Sequence, residues 1–504
     1  MKLVLAADVH LLDTAASPQE AALDWALKEI GELTPDACAW LGDITACGTP
    51  DAAIRFREKL RGLPCESLLI PGNSDVRNPD TAPMMTRFCS THPNGLKLGS
   101  VRLVGVNTAH GSIGAAERAR LEQLGEGEML ILLSHHQPEA LDADSRAFIC
   151  SWLCTRQVLL WLHGHQHLYY ERMLEGVRVV SLRAVDPDKC MDGGPQLCIL
   201  SDETGDWALE ERVFTGGDPD TWTQQERCEL ADSLGITCYN VPHDMDFAIR
   251  NGVKHLEWRS VDEADLPLLK QWRQAGGCTF SVHMPSLGYS AGVEGLERYC
   301  QSAQNAVRAQ ADMITVHPPA IPNALMQGGE PAFDALADAM AQALRPVTEA
   351  GILIVVENNH TPAGTGPDVL KRLYGCTPME LMGWRHALEE RLGRDSCALR
   401  LDVGHARNNI PVSKEYPIGR WYAAAGPLSK SYHLHQTILD ENGKMHNHHP
   451  ITGLHDGLIA FDGFLWAWHA GILNHAPIIL EIREGEGAAA TWLRLQKMLR
   501  KPGE

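Results

Sequence analysis

The chain of 504 residues is 44% hydrophobic and 21% charged, which suits a soluble globular protein and exceeds one ordinary core, so two or three domains are expected. With 64 acidic against 44 basic residues the formal net charge is −20, which argues against a broad basic surface for a nucleic-acid backbone. No apolar run approaches the roughly 20 residues that span a bilayer, the start MKLVLAADVHLL is interrupted at Asp8, and the 14 cysteines form no CxxC pair; a cytoplasmic protein with reduced thiols and no membrane contact is expected.

Residues 3–7 read Leu-Val-Leu-Ala-Ala, a short apolar strand, and Asp8-Val9-His10 follows at once. Residues two apart on an extended chain point the same way, so Asp8 and His10 are able to reach one ion together. The arrangement recurs. Apolar residues 37–41 lead into Gly42-Asp43, residues 67–71 into Gly72-Asn73, residues 129–133 into Ser134-His135-His136, and residues 158–162 into His163-Gly164-His165-Gln166-His167. Singly, an Asp after a strand is usually a helix cap and Gly-Asn a turn. Together, strands that each end in a metal-capable side chain point to a metal site, with the glycines letting the backbone turn sharply beside it.

In these segments the first part of the chain, about residues 1–205, resembles the calcineurin-like metallophosphoesterases, whose pattern is DxH, GD, GN, H and GHxH. The resemblance implies a four-layer α/β/β/α sandwich with two divalent cations of the Mn, Fe or Zn type. Asp8, His10 and His167 would hold one and Asn73, His135 and His165 the other, with Asp43 bridging them and His136 as the alternative to His135; His163 would lie behind the site. Such a pair of cations clamps a phosphoryl group and activates water for in-line attack. There is one departure. The family often has Gly-Asn-His-(Asp/Glu), whose histidine helps protonate the leaving group, but this chain has Gly72-Asn73-Ser74-Asp75. Either His136 or water substitutes, or the leaving group needs little help; His136 and Asp75 are the catalytic candidates of this half.

Segments 177–182 and 197–200 would close the first domain's sheets, and Thr215-Gly216-Gly217-Asp218-Pro219-Asp220 marks a boundary. The expected division is a first domain 1–215, a linker 216–225 and a second domain 226–504, entered through a helix over 222–234. Strand-like runs at 236–241, 253–258, 278–283, 312–317, 352–357, 397–402, 430–434 and 477–482 alternate with helix-length stretches such as 332–350 and predict a (β/α)8 TIM barrel. The ends of these runs carry His283, His317, Glu357, Asp402, His405, His433, His435 and Glu481, and a loop adds His446 and His448. The carboxyl ends of barrel strands converge on one mouth, where so many polar groups without a partner would be costly to bury.

This half, about residues 230–490, resembles the xylose-isomerase-like barrels, which include sugar-phosphate isomerases and epimerases and also endonuclease IV. The four-ligand set of that superfamily falls on Glu357, Asp402, His433 and Glu481. The further ligands of endonuclease IV fall on His283, His317, His405 and His448, with His446 in place of an aspartate; one to three cations of the Zn or Mn type are implied. The resulting expectation is an α/β protein, sandwich followed by TIM barrel, acting as a bifunctional metal-dependent phosphoesterase on a small phosphorylated metabolite. One alternative is a phosphatase fused to a sugar-phosphate isomerase or epimerase, with Glu357 and Glu481 as proton-transfer bases. Another is a nucleic-acid repair nuclease, disfavoured by the acidic charge. The number of subunits is left open.

Overall fold

Short strands that are apolar on both faces set the architecture of the first half. Strands β1 (Lys2–Ala6), β2 (Ala37–Leu41) and β3 (Glu66–Ile70) run parallel, and β10 (Gln196–Ser201) and β11 (Ala208–Val213) extend the same sheet antiparallel. The second sheet has the order β4-β5-β6-β7-β9-β8, with β4 Leu96–Leu98, β5 Val101–Val106, β6 Met129–Ser134, β7 Gln157–His163, β8 Tyr170–Leu174 and β9 Val177–Ser181. Leu3, Leu5, Leu68 and Ile70 of one sheet meet Leu103, Ile131, Leu133 and Leu162 of the other. The outer face of the first sheet packs Val4 and Trp40 on Leu23, Ala26 and Ile30 of the helix Pro18–Leu33. The outer face of the second packs Val104, Leu132 and Trp161 on Ile149 and Trp152 of the helix Ala143–Leu153. Both faces of each sheet are covered, so alternate side chains on either face are apolar. This is the four-layer α/β/β/α sandwich.

The computed structural model describes residues 1–202, 207–290, 292–322, 331–360, 371–409, 412–483 and 487–500. They divide into two compact units: residues 1–218 with 454–456 and 460–466, and residues 219–453 with 457–459 and 467–504. No helix among the described residues is long and apolar enough to cross a membrane.

The second unit opens with the helix Gln224–Ser233, started by a capping box in which Thr223 and Glu226 satisfy each other's backbone N–H groups. Eight strands follow and pair in a closed, all-parallel ring: Leu234–Cys238, His255–Trp258, Thr279–His283, Met313–Val316, Leu353–Glu357, Cys397–Asp402, Ser429–Leu434 and Ile478–Leu480. This is the (β/α)8 barrel. The first strand begins earlier than its apolar pattern suggests, at Leu234 rather than 236, and ends at Cys238, because Val241–Asn251 is already helix with a proline in its first turn. The predicted helix over 332–350 is found as Pro331–Glu349.

Side chains two apart on a strand share a face, which stacks the barrel interior in layers. Met313, Val355 and Ala398 form an apolar floor. Two residues further along their strands stand Thr315, Glu357 and Arg400, and two beyond Arg400 stands Asp402. A hairpin, Gln436–Leu439 with Met445–His449, carries the chain on past the seventh strand.

Candidate metal centres

In the first unit the loops after β1, β2, β3, β6 and β7 bring their ligand residues together. Asp8 N–H donates to Gly42 O and His10 N–H to Asp43 O, so the first two loops run side by side. Asp8, His10 and His167 form one group, and His135, His136 and His165 another, with the ligand atoms of each group within 4.8 Å of one another. Asp43 lies between them: its Oδ2 is 3.6 Å from His10 Nε2 and its Oδ1 3.5 Å from His135 Nε2. Asn73 Oδ1 is 3.0 Å from His135 Nε2, which places it with the second group.

Reaching this arrangement demands unusual backbone. Asp8, His10, Asp43, His165 and His167 all have positive φ, between 47° and 73°, a region that side chains other than glycine seldom occupy and that concentrates at functional sites. Two glycines make room. Gly42 has φ +84°, and a Cβ there would lie 2.5 Å from His135 Nδ1. A Cβ on Gly72 would collide with the backbone nitrogen and Oδ1 of Asp43.

The departure at Ser74 acquires a structural meaning. Its N–H and Oγ–H donate to Asp43 Oδ1 and Oδ2 at 2.7 and 2.9 Å, so the residue at this position orients the Asp43 carboxylate. Asp75 braces the loops. Its oxygens accept from Ile44 N–H, Thr45 N–H, Thr45 Oγ–H and Gly72 N–H, tying the β2 and β3 loops together. His136 is held neutral, its pKa pushed down to about 3 by burial and by the neighbouring His135 and His165. A neutral imidazole suits a ligand better than a proton donor. His163 lies behind, with Nδ1–H on Gly164 O and Nε2 3.3 Å from the Tyr170 hydroxyl.

In the barrel, Glu357, Asp402, His433 and Glu481 form a fully buried group; His283 and His317 join Glu357, and His405, His435 and His448 form a third set. Glu357 Oε2 is 3.3 Å from His283 Nε2 and 3.5 Å from His317 Nε2, and His435 Nε2 is 3.4 Å from Asp402 Oδ1. His446, on the hairpin, has its Nε2 3.1 Å from Asp440 Oδ2. Three side chains of this site went unread in the sequence as ligands or supports: His435, Glu257 and Arg400. Arg400 carried a signal, standing two residues before Asp402 and so on the same face of its strand.

Backbone carbonyls set the histidine tautomers. A carbonyl only accepts, so Nδ1 is the donor where it meets Leu41 O (His135), Met284 O (His283), Asn358 O (His405) and Glu481 O (His448), at 3.0–3.1 Å. Nε2 of His283, His405 and His448 then carries the free electron pair of the neutral ring, as in metal-binding imidazoles steadied by an outer partner, while Nε2 of His135 faces Asn73 Oδ1. The residues also pass a stricter test for a cation. Asp8 Oδ1, His10 Nε2, His283 Nε2, Glu357 Oε2, Asp402 Oδ2, His435 Nε2 and Glu481 Oε2 are buried and lack a hydrogen-bond partner among the described residues. Unmatched atoms of this kind are rare and costly unless an ion meets them.

Residues 1–169 match the family model of the calcineurin-like phosphoesterases, which together with the cluster around Asp43 defines an N-terminal metallophosphoesterase region. No curated protein matches the chain. Among solved structures, it is similar to a xylose isomerase-like TIM barrel protein from Mycobacterium smegmatis in complex with magnesium (14% identity, 52% of this chain and 89% of that one, TM-score 0.36). It is also similar to the IolI protein with a bound zinc atom (14%, 53% and 95%, TM-score 0.39). A third is D-psicose 3-epimerase from Clostridium cellulolyticum H10 (11%, 53% and 95%, TM-score 0.36). The barrel of this chain is defined by its own closed ring of strands.

Two outcomes follow from the geometry. Gly72→Ala, whose new methyl meets backbone that has nowhere to retreat, should cost about 1–3 kcal/mol and strip metal from the first unit, read as thermal midpoint and metal content. Removing metal from the barrel should take up protons. Burial opposes a charge on His433, but Glu357 and Glu257 outweigh it and hold the metal-free ring protonated well above the usual range. Barrel metal affinity should therefore fall as pH drops, and titration in buffers of different ionisation enthalpy will show the proton exchange.

Proposed function

We propose that the chain is a bifunctional metal-dependent phosphoesterase, with a two-cation site in the sandwich and a multi-cation site in the barrel, acting on small phosphorylated molecules. The observation that carries it is a pair of clusters, one in each unit, in which several buried carboxylate and imidazole atoms lack a hydrogen-bond partner among the described residues. Divalent cations, when bound, polarise a phosphoryl oxygen and make water a nucleophile near neutral pH. The protein's part in the first site is to hold Asp43 by Ser74 and to brace its loop by Asp75. In the barrel it is to hold the neutral imidazoles of His317 and His448, whose pKa values burial lowers to about 4 and about 2.

An anionic substrate is supported by the barrel mouth. Arg259 and Arg483 both donate to Glu481 Oε1, at 3.0 and 2.5 Å, and both reach the Tyr239 hydroxyl, so two guanidiniums face one carboxylate oxygen. The surplus positive charge suits a phosphate group. The same contacts weigh against the isomerase or epimerase reading, since a carboxylate clamped by two arginines is a poor proton acceptor. A net charge of −20 weighs against a nuclease.

The test uses the full chain against a panel of phosphomonoesters, phosphodiesters, sugar phosphates and abasic DNA. Asp43→Asn and Glu357→Gln should each lower one hydrolytic activity by on the order of 100-fold, roughly 3 kcal/mol, and spare the other. If Glu357→Gln abolishes only an aldose–ketose or epimer interconversion, the isomerase reading replaces this one. Cleavage confined to abasic DNA would make the barrel a repair nuclease.

A further inference from the structure

Below its ligand layer the barrel encloses an ion pair, Glu257 with Arg400, both 0% exposed. Stability gives it no reason to exist, because an apolar layer of similar volume holds a fold at least as well as a buried pair. Its hydrogen bonds show a different task. Glu257 Oε2 accepts from Arg400, from Ser281 Oγ at 3.0 Å and from Thr315 Oγ1 at 2.8 Å. Its other oxygen, Oε1, lies 3.0 Å from His433 Nε2.

Arg400 Nη1 is also close to that nitrogen, at 2.8 Å. A terminal guanidinium nitrogen has only two hydrogens, and Glu257 Oε2 and Thr315 Oγ1, the latter 2.6 Å away, compete with His433 Nε2 for those of Nη1. Glu257 Oε1 is a carboxylate oxygen and only accepts, so its contact assigns the proton of the neutral ring to Nε2 and leaves the electron pair on Nδ1. That is the atom facing the ligand cluster: Glu357 Oε1 at 2.9 Å, Glu481 Oε2 at 3.2 Å and Asp402 Oδ2 at 3.8 Å. The other ligand histidines tethered through Nδ1 present Nε2, so His433 is turned the opposite way and needs a partner of its own.

We propose that Glu257, fixed by Arg400, is the positioning residue of the barrel's metal centre, selecting the His433 tautomer that presents Nδ1 to a cation. The inference rests on the reading of this cluster as a metal centre. Carboxylates that orient ligand histidines typically alter metal affinity by about 10–100-fold.

The test is zinc affinity of the full chain in chelator-buffered solution, with occupancy resolved site by site from anomalous scattering of crystals held at the same free zinc. Glu257→Gln should weaken zinc binding at Glu357, Asp402, His433 and Glu481 by about 10–100-fold and leave the cluster around Asp43 as an unchanged internal reference. Ser281→Ala removes a hydroxyl bonded to both members of the ion pair but to neither His433 nor Arg400 Nη1, and should leave zinc affinity at the parental level. Parental affinity in Glu257→Gln, or equal losses in both variants, overturns the proposal. A second measurement needs no variant. In the zinc-loaded parent labelled with 15N-histidine, His433 should appear as an Nε2–H ring bound through Nδ1, and a proton on Nδ1 overturns the assignment. Absence of zinc from this cluster in the parent overturns the metal-centre reading and this inference with it, whereas normal binding by Glu257→Gln removes the inference alone.

Discussion

A carboxylate removed from water is tolerated only when donors or a positive charge face it, since the uncompensated penalty is several kcal/mol per ion. The buried acids of this protein meet that constraint in two ways, and the difference sorts them by role. Asp75 and Glu257 are saturated: each accepts from four partners on neighbouring strands or loops, and each acts as a brace. Asp8, Glu357, Asp402 and Glu481 each leave one oxygen without a hydrogen bond among the described residues, and those oxygens point among imidazoles. The first group ties strands and loops together, and the second offers the oxygens that could hold a cation.

The two units reach this result on unrelated folds by the same local device. Parallel strands deliver their carboxyl ends to one edge, and the chain breaks there into conformations that strand pairing does not allow. In the sandwich these are left-handed residues at the ligands themselves; in the barrel His448 alone among the ligands has positive φ, at 57°, because inward side chains of a closed ring already converge. Tethers from imidazole Nδ1 to main-chain oxygen then fix which nitrogen meets the site in either fold.

What was legible in the sequence follows the same physics. Strands with both faces covered read as continuous apolar runs, so β1, β2, β3, β6, β7 and the barrel strands could be placed within a few residues. The edge strand β11 could not: Ala-Leu-Glu-Glu-Arg-Val is mostly exposed, and only its pairing with β10 makes it a strand. Ser74 was legible as a departure but not as the residue that orients Asp43. His446 is a ligand candidate only through the resemblance to endonuclease IV, and the pairing of Gln436–Leu439 with Met445–His449 is what sets it 3.1 Å from Asp440.

The sequence by itself determined the order of the apolar runs and the chemical identity of the residue that closes each, and so the two layered architectures and the kind of ligand available to each site. These are local properties, carried by periodicity and by the residues next to a strand end. Only the tertiary structure decided which ligands share a group, which carboxylates are saturated, and which nitrogen of His433 is left for a cation. Those outcomes depend on contacts such as His433 with Glu257, 176 positions apart in the chain and adjacent only once the barrel has closed.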